Sequence, residues 1–366
     1  MYLNISGVQI MDFILKNALE TAKEINWEEG LVGQAKIVVI GAGGAGNNMV
    51  DWLYRKGIKG AEIIAVNTDK QHLDAREADR KLLIGKDLTK GLGCGGFPEK
   101  GEQSARESSQ ELKEVLKDAD LVFLCAGMGG GTGTGSAPVI AEIAKSMGSI
   151  VLGVVTMPFK VERARIEKAE MGLAKLRSVS DTVIVIDNNR LVDIAGNLPL
   201  QQAFAVANEL ISTMIKGIVE TIAMPSLVNL DFADVKAIMT HGGVSVIGVG
   251  ESDTENRVEE AVKKALMNPL LDVSYEGATG ALIHISGGPD LTLEEVNRAG
   301  EMVTASLDSD AQVIWGARIQ EELTGKLRIM TIITGVRSPF ILGPENERIE
   351  KEVTLKMSDE LGIKML

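Results

Sequence analysis

The residues of this chain best suited to chemistry are glycines and small hydroxyls, grouped so that a backbone could wrap a phosphate. The run Gly129-Gly130-Gly131-Thr132-Gly133-Thr134-Gly135-Ser136 follows an apolar segment, Leu121–Ala126, and precedes a helical pattern opening at Ala137-Pro138. Glycine tolerates positive φ and admits a ligand close to the main chain, while the first amides of a helix are unpaired donors at the positive end of its dipole. Flexible glycine linkers lack such flanks. A second run, Gly41-Ala42-Gly43-Gly44-Ala45-Gly46, matches G-x-G-x-x-G after the first strand, and Asp69 closes the next strand. Alone, that motif reads as a dinucleotide site, as in an NAD-dependent oxidoreductase. Two glycine-rich turns, after the first and fourth strands, could instead converge on one phosphate chain, which suits a nucleoside triphosphate. No G-x-x-x-x-G-K-[ST] occurs, so the lysine of a P-loop is missing. A third stretch, Gly91–Glu99, either borders the terminal phosphate or forms a surface turn. Asp231 and Asp234 stand at the entry to a helical pattern, where by spacing alone they would cap the helix and complement its dipole.

These residues require strands that end where the glycines begin. From Lys36 onward, apolar segments at 37–40, 63–66, 82–84, 121–126, 150–156 and 182–186 alternate with helical patterns at 46–56, 101–116, 137–147 and 165–176. Such alternation predicts a Rossmann-like parallel sheet covered on both faces, an α/β nucleotide-binding domain over 35–199. One long periodic pattern, 200–222, predicts a central helix within 200–226. Strands at 244–248, 280–285, 311–315 and 327–334, with helices at 257–267 and 293–307, predict a smaller α+β domain over 227–338 with helices on one face of a four-stranded sheet. A helical extension (1–34) and a charged tail (339–366) ending in Leu361-Gly362-Ile363-Lys364-Met365-Leu366 complete the chain. The tail could serve as a docking peptide.

Composition narrows the function. The 366 residues carry a formal charge of −13, with 45% hydrophobic and 24% charged residues. Length suffices for two domains with developed cores, and the acidic balance disfavours nucleic acid as a partner. No apolar run approaches the roughly 20 residues that cross a membrane, and the N-terminal stretch has no secretory pattern, so cytoplasmic residence without direct membrane insertion is expected. Cys94 and Cys125 lack metal-ligand spacing and read as reduced structural residues; His72, His241 and His284 are scattered, which argues against a zinc site and predicts no protein metal centre.

The pattern G-G-G-T-G-T-G and the segment Asn229-Leu230-Asp231-Phe232-Ala233-Asp234-Val235 resemble the signature loop and the synergy loop of the tubulin and FtsZ superfamily. From about Lys36 to about Gly335 the chain resembles the FtsZ family, most of all its archaeal members. The resemblance implies a GTP/GDP site with Mg²⁺, in which Gly43, Gly44 and Asn47 meet the phosphates and Gly129, Gly130, Gly131, Thr132, Gly133 and Thr134 hold them through backbone amides. It places Asn67 and Asp69 in the second loop, and Gly95 and Gly96 in the third, beside the γ-phosphate. Glu162 and Arg165 would contact ribose and phosphate, Asn188 and Asn208 would read the guanine edge, and Phe204 would stack on the base.

Certain positions depart from the bacterial pattern: Arg163 stands where glycine is common, Gln202 where aspartate is common, and Asp187 where proline is frequent. The resemblance further implies that Asp231 and Asp234 act on the neighbouring subunit's GTP, in a head-to-tail homopolymer whose contacts complete each GTPase site. A midcell division ring tethered to the membrane by an adaptor is the implied role. A scaffold or cell-shape paralogue without constriction is the alternative.

Overall fold

The computed structural model describes residues 35–223, 227–228, 232–241, 245–267, 275, 278–305 and 307–336. The expected N-terminal extension and C-terminal tail lie outside the described residues, as do Asn229, Leu230 and Asp231.

Apolar runs, joined at one edge by the short and half-exposed β3, form the first sheet: β1 (Ile37–Ala42), β2 (Ala61–Asn67), β3 (Arg80–Leu83), β4 (Leu121–Gly127), β5 (Ile150–Met157) and β6 (Thr182–Asp187). All neighbours pair in parallel in the order β3-β2-β1-β4-β5-β6. Strand order reverses between β1 and β4, so a ligand crevice opens beyond their carboxyl ends. Both glycine-rich turns leave from those two ends.

The helices of this half are α1 (Gly43–Lys56), α2 (Lys70–Asp74), α3 (Lys86–Thr89), α4 (Pro98–Glu107), α5 (Ser109–Val115), α6 (Thr132–Ser146), α7 (Ala164–Val179) and α8 (Asn188–Ala195), followed by the central helix α9 (Leu200–Ala223). Alternating strand residues serve two cores. Ile37 and Val39 join a cluster with Leu53 of α1 and Ile215 of α9, whereas Val38 and Ile40 join one with Leu112 of α5 and Ile140 of α6. The single helix expected over 101–116 is broken at Ser108, whose hydroxyl turns aside to accept a bond from Gly85 N at 3.1 Å.

Beyond α9 lie α10 (Phe232–His241), β7 (Ser245–Ser252), α11 (Arg257–Leu266), β8 (Gly280–Gly287), α12 (Leu293–Thr304), β9 (Gln312–Ile319) and β10 (Leu327–Thr334). The four strands are ordered β7-β10-β8-β9, with β8 and β9 parallel and the other pairs antiparallel. Strand β7 runs past its expected end at Gly248, because Gly248 and Gly250 are strand residues on which α11 rests: a Cβ there would lie 1.7 Å from Ala265 O and 2.0 Å from Ala261 O. Between them Val249 points to the opposite face, toward Gly217 of α9. The expected one-sided cover is therefore supplemented: α11 and α12 take one face, and α9 lies against the other.

His284 sits inside this second sheet, 3% exposed, with its Nδ1 3.3 Å from Ser286 Oγ. Burial, helped by the Arg318 charge, pushes its pKa down to about 3. As pH falls below about 6.5 the unfolded chain gains a proton there that the folded chain refuses, so this group removes stability on acidification. Between pH 7 and pH 5 the loss amounts to about 2 kcal/mol. Urea midpoints at the two pH values should differ less in His284→Gln than in the parent; an undiminished difference would refute the assignment.

Candidate functional site

The first turn has almost no loop. Strand β1 enters α1 directly at Gly43, whose φ is +72°. A Cβ on Gly46 would lie 2.3 Å from Cys125 O of β4, and one on Gly43 would lie 2.7 Å from Gly133 N of α6. The glycines thus allow α1 to rest on β4 and the two phosphate-type turns to touch.

The second turn is shorter than expected. Met128 N donates to Thr156 O at 2.9 Å, Gly129 takes φ +92° with its back against Arg165, and Gly131 is already the N-cap of α6. Helix α6 opens at Thr132 rather than Ala137, and Gly135 N closes its first turn on Gly131 O at 3.0 Å. Glycine disfavours helix by propensity, yet only glycine fits: a Cβ on Gly135 would lie 1.9 Å from Pro98 O. Pro138 is therefore the seventh helical residue and removes one interior hydrogen bond. The amides of Thr132, Gly133 and Thr134, in the opening turn, have no intrahelical acceptor.

These turns border a cleft of about 580 Å³ walled by Gly44, Gly130, Gly131, Thr132 and Gly133, and by Glu162, Arg165, Asn188, Phe204 and Asn208. An adjoining compartment of about 400 Å³ is walled by Asn67, Asp69, Gly95 and Gly96 and shares Gly44, Gly130, Gly131, Thr132 and Arg165 with the first. Phe204 meets Phe159 edge-on, with ring centroids 6.1 Å apart and planes at 67°. Asn208 lies one turn further along α9. Asn188 opens α8, and Asp187, at the position where proline is frequent in bacterial members, accepts from Asn189 N at 2.8 Å as the N-cap.

Other expected site residues support the cleft without walling it. Asn47 is fully buried; its amide donates to Gly41 O at 2.6 Å and Val66 O at 3.1 Å and accepts from Asn67 Nδ2 at 2.9 Å. It ties β1, β2 and α1 together. Thr134 is buried against Gly172 of α7, where a Cβ would lie 2.3 Å from its methyl carbon. Gly43 and Gly129 shape the turns from behind.

Glu162 Oε2 accepts from Arg165 Nη1 at 2.7 Å, and Glu162 Oε1 accepts from Phe159 N at 3.0 Å. Between them Arg163 takes φ +27°, so the position that is commonly glycine in bacterial members is held here in a strained backbone. Asp69 caps α2 by accepting from His72 N at 3.0 Å. Glu162 and Asp69 are the carboxylates among the cleft-lining residues, and each is already engaged.

Sequence reasoning missed Thr68 and His72. Thr68 Oγ1 lies 2.6 Å from Thr132 Oγ1 and 3.3 Å from Cys94 Sγ, joining three loops. His72 lines both compartments; burial and then the Arg76 charge lower its pKa, which keeps the ring neutral at pH 7. The signal was the Asp69 cap three residues earlier. Both cysteines are buried free thiols, and burial pushes Cys125 up to about 12.

Asp234 lies in the first turn of α10, beyond the far end of α9 from Phe204 and Asn208. From Phe204 and Asn208 the helix runs on for about 19 and 15 residues to its end at Ala223, a length of about 23–29 Å. The segment leading there is stitched to the second sheet by Val228 N to Ala317 O at 3.1 Å and Ala317 N to Val228 O at 3.2 Å.

A family model for the tubulin/FtsZ family GTPase domain matches residues 36–196, and one for the FtsZ family C-terminal domain matches 243–337. Cell division protein FtsZ 2 of Methanocaldococcus jannaschii is 57% identical over 350 residues, covering 95% of this chain and 92% of that protein. Cell division protein FtsZ 2 of Haloferax volcanii is 52% identical, over 92% of this chain and 86% of that one. Among solved structures, an empty FtsZ dimer from M. jannaschii superposes with a TM-score of 0.76 at 50% identity, covering 87% of this chain and 91% of that one. A GTPγS-bound protofilament of CetZ2 from H. volcanii gives a TM-score of 0.70 at 24% identity, covering 83% and 95%, and shows a shared fold. The first glycine turn thus lies inside a GTPase-domain match, and the oxidoreductase reading gives way.

Proposed function

The chain belongs to the FtsZ family of the tubulin/FtsZ group, and from that premise we propose that it binds and hydrolyses GTP and forms head-to-tail filaments in cell division. Hydrolysis is completed at the subunit interface. The observation that carries this is the separation of parts: the cleft holds the phosphate-binding backbone, while Asp234 stands beyond about 23–29 Å of helix from the base-binding side chains. Phosphoryl transfer needs positioning and charge stabilisation more than covalent participation. A neighbour stacked on the cleft would bring its Asp231 and Asp234 to the γ-phosphate, where they orient the attacking water. Such a contact is heterologous and does not close, so it propagates a filament.

Within the cleft, the opening amides of α6 and the Gly43–Gly44 turn take the phosphates, Phe204 stacks on the base, and Asn188 and Asn208 each offer donor and acceptor to guanine. The donor set fits a phosphate-borne Mg²⁺: among the described residues no cluster of three acidic or histidine ligands occurs, and Asp69 is the carboxylate of the outer compartment. Mg²⁺ is commonly held by phosphates, waters and one or two carboxylates, and here it would neutralise phosphate charge. Division is favoured over a scaffold or shape role because the relatives that share half or more of their residues bear the name of cell division proteins, whereas the CetZ structures share only the fold. Placement in a cytoplasmic midcell ring, reached through a membrane-tethering adaptor by way of the C-terminal tail, completes the reading.

Sedimentation with GTP against GDP, run alongside phosphate release, tests binding, assembly and turnover together; equal pelleting in both nucleotides with no phosphate released would end the proposal. Base reading has its own test. Asn208→Leu should weaken GTP binding roughly ten- to a hundredfold by leaving a guanine edge unpaired, as titration calorimetry would measure, and unchanged affinity would remove Asn208 from the site.

A further inference from the structure

One face of α7 carries Arg165, Lys168, Gly172 and Lys175, at the three- and four-residue steps that align side chains on a helix. Arg165 walls both compartments of the cleft. Lys168 Nζ donates to Gly96 O at 2.7 Å and lies 5.5 Å from the centre of the half-exposed Phe97 ring, which Lys100 approaches at 5.3 Å. Lys175 Nζ donates further along to Glu102 Oε2 of α4, at 3.1 Å.

The loop held by Lys168 is otherwise fastened from within. Cys94 is buried against the glycine turn, since a Cβ on Gly131 would lie 2.6 Å from Cys94 Cβ, and its sulfur lies 3.3 Å from Thr68 Oγ1. Between the inner anchor at Cys94 and the outer one at Lys168 stand Gly95 and Gly96, at φ +60° and +78°, spanned by a turn in which Phe97 N donates to Cys94 O at 3.2 Å. They wall the outer compartment, and two adjacent glycines have wide conformational freedom unless something fixes them. The turn bond fixes the pair from inside the loop, and an ammonium on the Gly96 carbonyl, resting near an aromatic face, ties the turn to α7 from outside.

We propose that Lys168 is a positioning residue that latches the Gly95-Gly96 segment over the phosphate end of the bound nucleotide and so sets how long nucleotide stays. The proposal rests on the GTP reading of the cleft. It predicts a separation of effects: an unlatched loop releases nucleotide faster and raises KM, while kcat at saturating GTP, governed by the neighbour's carboxylates, changes little.

The test uses the full chain and a fluorescently labelled GDP, at protein concentrations below those at which turnover begins. Lys168→Met, which keeps the stem and removes the donor, should speed release about five- to tenfold and raise KM for GTP by a similar factor. Lys168→Arg, which can still donate to Gly96 O and stack on Phe97, should restore slow release. Lys175→Met, which loses only the Glu102 bond, should release at close to the parent rate. Parent-like release from Lys168→Met overturns the latch, and so does equal acceleration by Lys175→Met, which would mean that α7 as a whole had loosened. Failure of the parent chain to bind the labelled GDP would overturn the nucleotide reading itself, and the latch with it.

Discussion

Asp234→Ala is expected to reduce GTP turnover by about a hundredfold or more while leaving GTP affinity within about twofold of the parent. Affinity should survive because no part of the cleft wall changes: Asp234 is separated from Phe204 and Asn208 by most of α9. Turnover should fall because the carboxylates that wall the cleft are occupied, Glu162 by Arg165 and the Phe159 amide, and Asp69 by the α2 cap. Phosphate release and binding of labelled GTP, measured on the same preparation, separate the two effects. Mixing adds a sharper criterion. Asp234→Ala subunits keep a working cleft and Gly43→Ala subunits keep a working Asp234, so the mixture should hydrolyse GTP faster than either alone. A mixture no faster than the sum of its parts would place catalysis within one subunit.

Gly43→Ala should itself damage the cleft. The residue holds φ +72°, and its added methyl would meet Gly133 N at 2.7 Å and Gly133 Cα at 3.1 Å, backbone atoms that cannot swing aside. Left-handed strain and overpacking together cost about 2–4 kcal/mol. Part of that cost should appear as lost stability and part as separation of the two turns, with GTP affinity falling roughly thirtyfold or more. Titration with labelled GDP, together with a urea melt of the unliganded protein, distributes the loss. A variant that melts lower yet binds as tightly as the parent would show that the turns need not touch to hold phosphate.

Much of this architecture is legible in the sequence because β1, β4, β5 and β6 are nearly unbroken apolar runs, and a strand buried on both faces needs little else. The alternation implies a parallel sheet, whereas the strand order that makes the switch point at β1 and β4 is seen only in the fold. What is not legible traces to glycine. At Gly133 and Gly135 it signals a loop by propensity and is helix by necessity, since α4 and the end of β4 leave no room for a side chain. At Gly248 and Gly250 it signals the end of a strand and instead allows α11 to sit on one. Polar residues hold roles that spacing does not show. The Asn47 amide donates to two strand carbonyls, a structural tie that the motif around it does not announce. Thr68, His72 and Lys168 carry no motif, because their roles depend on loops far apart in sequence that meet only in the fold.

The central helix has a further consequence. Ile211, Met214, Ile215 and Ile218 of α9 belong to one buried cluster that also contains Ile37 and Val39 of the first sheet and Ile283 and Ile333 of the second. The two sheets therefore share a melting unit: neither can lose its order without stripping the helix that completes the other. Nucleotide held at a hundred times its dissociation constant stabilises the folded state by about 2.7 kcal/mol, and that increment is distributed over the whole unit. Occupancy of the cleft should thus appear as slower hydrogen exchange in β8 and β10, strands that contribute no residue to its walls, so thermal unfolding of the second sheet should double as a gauge of nucleotide in the first.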